Sequence, residues 1–172
     1  TFYDIENQTP TFFYVTNAKV NDVNAIDVIS YEIGSYYVFD RGYNDFKRLY
    51  KIRTLDFFVI RSKKNLQYKC IKCKRRLPKN ILSDAEIELT GYYPHQYYSE
   101  SLRLIRYWDN ESNKEFTYLT NTKHLRAQQI ANLYKNRWQV EFFLKWIKQH
   151  LKIKKFWGTI ENAVRIQIYA AI

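Results

Sequence analysis

An α/β fold, a mixed sheet with flanking helices, is what this 172-residue sequence predicts. Three observations carry the expectation. Before residue 65, short apolar runs bounded by turns alternate with amphipathic stretches, as when strands and helices share one sheet. Between residues 65 and 120 the pattern changes to short alternating stretches separated by turn residues, an antiparallel β insertion. From residue 124 to 152 helical spacing returns without interruption.

In chain order, TFYDIE and TFFYVTN flank NQTP and read as two strands around a turn. NDVNAIDVIS reads as an amphipathic helix with Asn21 or Asp22 as its cap. SYYVFD is a short apolar run ending on Asp40, a buried strand, and RGYNDFKRLYKIRT follows as turn and helix. DFFVIRSKK is the next apolar strand, closing in basic residues. LQYKCIKC, EIELTGYY, SLRLIRYW and FTYLTN supply the strands of the insertion. Gly158 and Thr159 end the long helix, and ENAVRIQIYAAI opens another. Three regions result: 1–64 as the first part of a core, 65–120 as the β-rich insertion and 121–172 as C-terminal helices returning to the core.

Hydrophobic residues make up 46% of the chain, enough for a sizeable core. Lys plus Arg number 28 against 17 acids, giving +11 and a pI near 9.5. That balance favours a polyanionic partner, most simply nucleic acid; a merely basic soluble protein is the alternative. Aromatic residues at 18% add stacking surfaces as well as core. Two cysteines indicate no disulfide framework. No apolar run approaches the ~20 residues of a membrane span, so no membrane association is expected. TFYDIENQTP lacks the basic and apolar regions of a signal peptide. Without an initiating Met, the sequence reads as starting inside a larger open reading frame.

YKNRWQVEFFLKWIKQHLKIKKF holds one acid, Glu141, in a basic and aromatic setting; residues 121–156 carry nine Lys or Arg. At ~100° per residue, Tyr134, Arg137, Glu141 and Lys148 fall within an arc of about 60°, and Lys145 joins them. Leu133, Val140, Leu144, Ile147 and Leu151 recur at helical spacing and turn to the core. Two readings stand. One is a solvated charged face with an i,i+4 pair, Glu141 to Lys145. The other is a phosphate-binding face on which Arg and Lys hold backbone phosphates and Glu141 holds a divalent cation.

The spacing Tyr134-x2-Arg137-x3-Glu141-x6-Lys148 resembles the signature of DDE transposases of the insertion-sequence-four family. The block LYKNRWQVEFFLKWIKQHLKIKKFWGT with ENAV, VFDRGYNDF, FFVIRSKKN and PTFFYVTNAKVNDV resemble that family's blocks in the same order, with Asn21 where the family usually has His. The resemblance covers nearly the whole chain. It implies an RNase H-like mixed sheet with a β-rich insertion before the last catalytic helix. It implies Asp40 and Glu141 as catalytic, metal-holding carboxylates, close together in space, with Mg²⁺ (or Mn²⁺) as the cofactor. It also implies double-stranded DNA as partner, both transposon ends and target, with a homodimer on DNA as a possible assembly and a bacterial, cytoplasmic, nucleoid-associated setting. Water attacks a phosphodiester first, and the freed 3′-OH then attacks target DNA. The family's first catalytic Asp lies on a strand upstream of the hairpin where this sequence begins, and Asp4 matches a hairpin Asp instead. First strand and first carboxylate are therefore expected to be missing, with little cleavage as the consequence. A non-enzymatic DNA-binding remnant and a different RNase H-like nuclease are the rivals.

Lesser candidates complete the set. Cys70 and Cys73 form a C-x2-C, but a zinc site wants four ligands and no second pair exists, so two plain thiols are preferred. His95, in GYYPHQYY, reads as a surface residue in a turn, and His124 and His150 flank the long helix near phosphate. Core packing is the default for Trp138 and Trp146, with base stacking the alternative for Trp138. Arg61 and Lys63 close a strand near the expected site, for phosphate contact or simple solvation.

Overall fold

A computed structural model describes residues 2–12, 22–54 and 56–150. Its elements are β1 (Phe2–Asp4), β2 (Thr9–Phe12), a 3₁₀ segment (Asp22–Val28), β3 (Tyr36–Phe39), a 3₁₀ turn (Arg41–Tyr43), α1 (Phe46–Arg53), β4 (Phe57–Arg61), β5 (Tyr68–Cys73), β6 (Ile81–Leu89), α2 (Tyr92–Tyr97), β7 (Leu102–Asp109), β8 (Lys114–Thr120), α3 (Ala127–Asn136) and α4 (Trp138–His150). They divide into two compact units, residues 20–135 and residues 1–19 with 136–172.

The larger unit is a six-stranded mixed sheet of order β3-β4-β8-β7-β6-β5. β3 and β4 run parallel, and every other neighbouring pair is antiparallel. β8 pairs with β4, so the strands after residue 65 continue the sheet begun by β3 and β4. β4 is buried through Phe58, Val59 and Ile60, the apolar run of a strand covered on both faces. Val59 packs with Ile105 and Tyr118 under Ala127, Ile130, Ala131 and Tyr134 of α3. By strand alternation Phe58 turns the other way, where its ring meets Tyr98 at 6.2 Å. Asn121 prolongs the sheet through its side chain: Oδ1 accepts from Phe58 N–H at 2.8 Å and Nδ2 donates to the Asp56 carbonyl at 2.9 Å. β5 is an exposed edge whose lysines discourage pairing with another chain.

In the smaller unit, β1 and β2 form an antiparallel hairpin. The Asp4 carboxylate closes its turn by accepting from the backbone N–H of Glu6 and Asn7. Tyr3 meets Phe143 of α4 with ring centroids 5.2 Å apart.

Three expectations change. DVNAIDV forms a 3₁₀ segment rather than an α-helix: its β-branched residues resist the α-helical turn, and Asn24 and Asp27 are held by the Arg48 guanidinium. GYYPHQYY is not a turn but the short helix α2, with Pro94 in the first turn, where its missing N–H costs nothing. The long helix is two helices, interrupted at Arg137, with Val140 N–H bonded to the Arg137 carbonyl at 3.1 Å where α4 begins. The helix expected from residue 161 lies outside the described residues.

One buried ion pair ties the sheet to α3. Arg103 on β7 donates Nε and Nη2 to the two oxygens of Asp84 on β6, both at 2.7 Å. Its Nη1 reaches the Leu125 carbonyl at 2.6 Å, just before α3 begins. Burial works against the Asp84 charge, yet hydrogen bonds from Arg103 and Lys74 outweigh it and hold the carboxyl below its ordinary range. Removing one partner leaves the other charge buried alone. Asp84→Asn should cost about 3–5 kcal/mol near neutral pH, read by urea denaturation. A depressed carboxyl stabilises above its unfolded pKa, ~3.9, and loses that contribution as pH falls through the folded value. The gap between wild type and Asp84→Asn should therefore close below pH ~4; a gap independent of pH would mean that the Asp84 charge contributes nothing.

Candidate active site

β3 delivers Asp40 to its C-terminal end, directly after the buried Phe39. The Asp40 backbone is extended, and Oδ1 accepts the Arg41 N–H at 2.7 Å, capping the 3₁₀ turn. The following residues are fastened on both sides. Asn44 Nδ2 donates to the carbonyls of Arg41 at 2.8 Å and Arg61 at 2.9 Å, holding this loop to the end of β4. Asp45 caps α1 by accepting from Arg48 N–H at 3.1 Å, and the Arg48 guanidinium pairs with Asp45 at 2.6 Å and Asp27 at 2.7 Å. That Arg48 bond holds the Asp27 carboxyl below its ordinary range.

A second contact on Asp40 comes from 94 residues away. Tyr134 of α3, only 4% exposed, donates its hydroxyl to Asp40 Oδ1 at 3.2 Å. Its ring lies 4.7 Å from Tyr118, whose phenol burial pushes above its ordinary value. Oδ1 thus takes two donors, and among the described residues no hydrogen bond engages Oδ2. The helix face that Tyr134 shares with Ile130 and Ala131 packs on the sheet, with the hydroxyl reaching Asp40.

Arg61 closes β4 with its guanidinium 4.7 Å from the Phe116 ring centroid, and Lys63 is exposed beyond it. Lys63 also lines a groove of about 740 Å³ with Asn44, Lys47, Tyr92, Tyr93 and Tyr97. Tyr92 and Tyr93 are largely exposed, and the Lys47 ammonium sits 6.0 Å over the Tyr97 ring. Sequence reasoning missed Lys47 and these tyrosines. The available signal was the density of tyrosine in GYYPHQYY, which a turn assignment concealed.

In the smaller unit, Arg137 Nη2 donates to Glu141 Oε1 at 2.8 Å. The i,i+4 partner of Glu141 is thus Arg137, where Lys145 was expected. Trp138 and Trp146 are not core residues: they are 53% and 54% exposed and, with exposed Phe142, recur every four residues along α4. The Arg137 guanidinium lies 6.0 Å from the Trp138 ring centroid, and Lys145 is exposed. The side chains of Lys148 and His150 fall outside the described residues. His124 is exposed and held by its neighbours: Tyr36 Oη contacts Nε2, Thr122 Oγ1 lies 3.2 Å from Nδ1, and Phe57 flanks the ring. His95 is at the surface, with Nδ1 2.9 Å from the Leu89 carbonyl oxygen. Among the described residues no three His, Cys, Asp or Glu side chains converge as a ready metal site.

The Tyr134 contact separates packing from positioning. Tyr134→Ala should cost about 3–5 kcal/mol by urea denaturation, because the ring fills core space. Tyr134→Phe keeps the ring and should cost about 1 kcal/mol. Equal losses in the two variants would show that the hydroxyl, not the ring, holds α3 to the sheet.

The family model described as "Transposase DDE domain" matches residues 1–172. The chain is 35% identical to "Putative transposase y4zB" of Sinorhizobium fredii over 99% of its own length and 49% of that protein's. It is 32% identical to "Probable transposase for insertion sequence element IS5377" of Geobacillus stearothermophilus, covering 77% of this chain and 35% of that one. With "Putative transposase for insertion sequence element IS4SA" of Synechocystis it shares 31% identity, covering 78% and 38%. The chain spans about half the length, or less, of these curated relatives. With the family model matched from first residue to last, the chain belongs to the transposase DDE domain family.

Proposed function

We propose that these 172 residues are a catalytic-domain portion of a DNA transposase, in which Asp40 and Glu141 hold a divalent cation, Mg²⁺ or Mn²⁺, at a phosphodiester. The observation that carries the reading is the bond between Tyr134 and Asp40. It joins the first residue of the Tyr-Arg-Glu-Lys pattern to the carboxylate that the resemblance assigns as catalytic. An exposed carboxylate at a strand end, with one oxygen held by two donors and the other without a hydrogen bond among the described residues, suits a hard cation that seeks carboxylate oxygen. Such ends are where sites on open α/β sheets collect. The mixed sheet with α3 on one face supports an RNase H-like fold.

Each side chain then has a task. Tyr134 and Arg41 N–H fix the rotamer of Asp40 through Oδ1 and leave Oδ2 toward the ion. Arg137 orients Glu141 through Oε1. When bound, the ion would polarise the phosphodiester and favour hydroxide over water as the attacking group. Lys63 and Lys145, exposed lysines, neutralise DNA phosphates, and Arg61, Arg137 and Lys148 act as further phosphate contacts. Trp138 offers an exposed face for stacking on a base. The assembly on DNA is a homodimer in this reading, acting in the bacterial cytoplasm. Among the described residues no helix is long and apolar enough to cross a membrane.

The resemblance puts a third carboxylate on a strand preceding β1, outside these residues. Two acids leave the cation charge less offset, so these residues alone should bind DNA far better than they cut it. The test pairs binding with nicking of supercoiled plasmid in Mg²⁺ or Mn²⁺. Affinity should fall steeply with salt, and Lys63→Ala should shallow the slope by about one. Nicking should be near background and unchanged by Glu141→Gln. Strong nicking abolished by Glu141→Gln would show that two carboxylates suffice; salt-independent binding would remove the DNA reading.

A further inference from the structure

Cys70 and Cys73 have no part in the proposed chemistry, yet the fold brings them together. Both are free and exposed, and their Sγ atoms are 2.7 Å apart. Spacing alone does not explain this. In a regular strand, residues three apart lie about 10 Å from each other and point to opposite faces. The register supplies the reason. Cys70 pairs with Ile87, Lys72 with Glu86 and Cys73 with Ala85, with an irregularity between Cys70 and Lys72. Ile71 is thus an extra residue opposite no partner, a β-bulge. One added residue turns an i,i+3 spacing into neighbours on one face. β5 is the edge of the sheet, so among the described residues no further strand covers the pair.

We infer that Cys70 and Cys73 form a redox-active dithiol that closes to an intramolecular disulfide by exchange with a low-molecular-weight disulfide. Ligand number favours that bond over a metal: a zinc site wants four ligands, whereas two adjacent thiols suffice for a disulfide. Among the described residues no third His, Cys, Asp or Glu joins them.

The exchange runs in two steps. One protein thiolate attacks a sulfur of the small disulfide, forming a mixed disulfide and expelling one small thiolate. The second protein thiolate attacks the protein sulfur of that mixed disulfide, forming the Cys70–Cys73 bond and expelling the other small thiolate. The small disulfide is reduced to two thiols, which take the two protons, and the cysteines are oxidised.

The chain is equilibrated in mixtures of oxidised and reduced glutathione, quenched with acid and weighed by mass spectrometry. Wild type should lose two hydrogens and carry no glutathione. Cys70→Ser and Cys73→Ser, both at exposed positions, should each stop at one glutathione adduct. In urea, where the bulge is gone, the disulfide-forming equilibrium of wild type should weaken by about tenfold. Wild type carrying two glutathiones overturns the inference, and so does an equilibrium that urea leaves unchanged.

Discussion

Packing of α3 on the sheet is the constraint from which the rest of the larger unit follows. Ile130, Ala131 and Tyr134 cover Val59, Ile105 and Tyr118, one residue from each of three neighbouring strands. The entry to α3 is pinned by Arg103, which spends one guanidinium nitrogen on the Leu125 carbonyl and two on Asp84. A shift of α3 would break that fork or open the core. The Tyr134 hydroxyl stands at the end of this chain of contacts, and its placement at Asp40 costs no flexible segment its freedom.

The loop after β3 is stiffened by different means. It buries little apolar area, and its order comes from hydrogen bonds: Asp40 and Asp45 as caps, Asn44 as a bridge to β4, Arg48 as a clamp on Asp27. A carboxylate meant to meet a doubly charged ion gains from such a setting. Its rotamer is selected before the ion arrives, so less ordering remains to be done on binding.

The strand pattern was legible because apolar runs and turn residues declare themselves locally: SYYVFD, DFFVIRSKK and the four alternating stretches each hold a strand, although the GYY that closes EIELTGYY opens α2. Asp40 stood out as the acid ending a buried run. The interruption at Arg137 was not legible, since neither Pro nor Gly marks it. The inward packing of the Tyr134 ring, beside Ile130 and Ala131 of its own helix, was not legible either. The closeness of Cys70 and Cys73 depends on a bulge that only the pairing of β5 with β6 defines. Each miss involves a choice made by tertiary contacts where local propensity is indifferent.

The account depends on Asp40 being a cation ligand oriented by Tyr134. Mn²⁺ binding followed by electron paramagnetic resonance tests this without requiring cleavage. Asp40→Asn should abolish the site, and Tyr134→Phe should weaken it several-fold while the fold persists, as expected when one hydrogen bond of about 1 kcal/mol is lost. Undiminished Mn²⁺ affinity in Asp40→Asn would contradict the account.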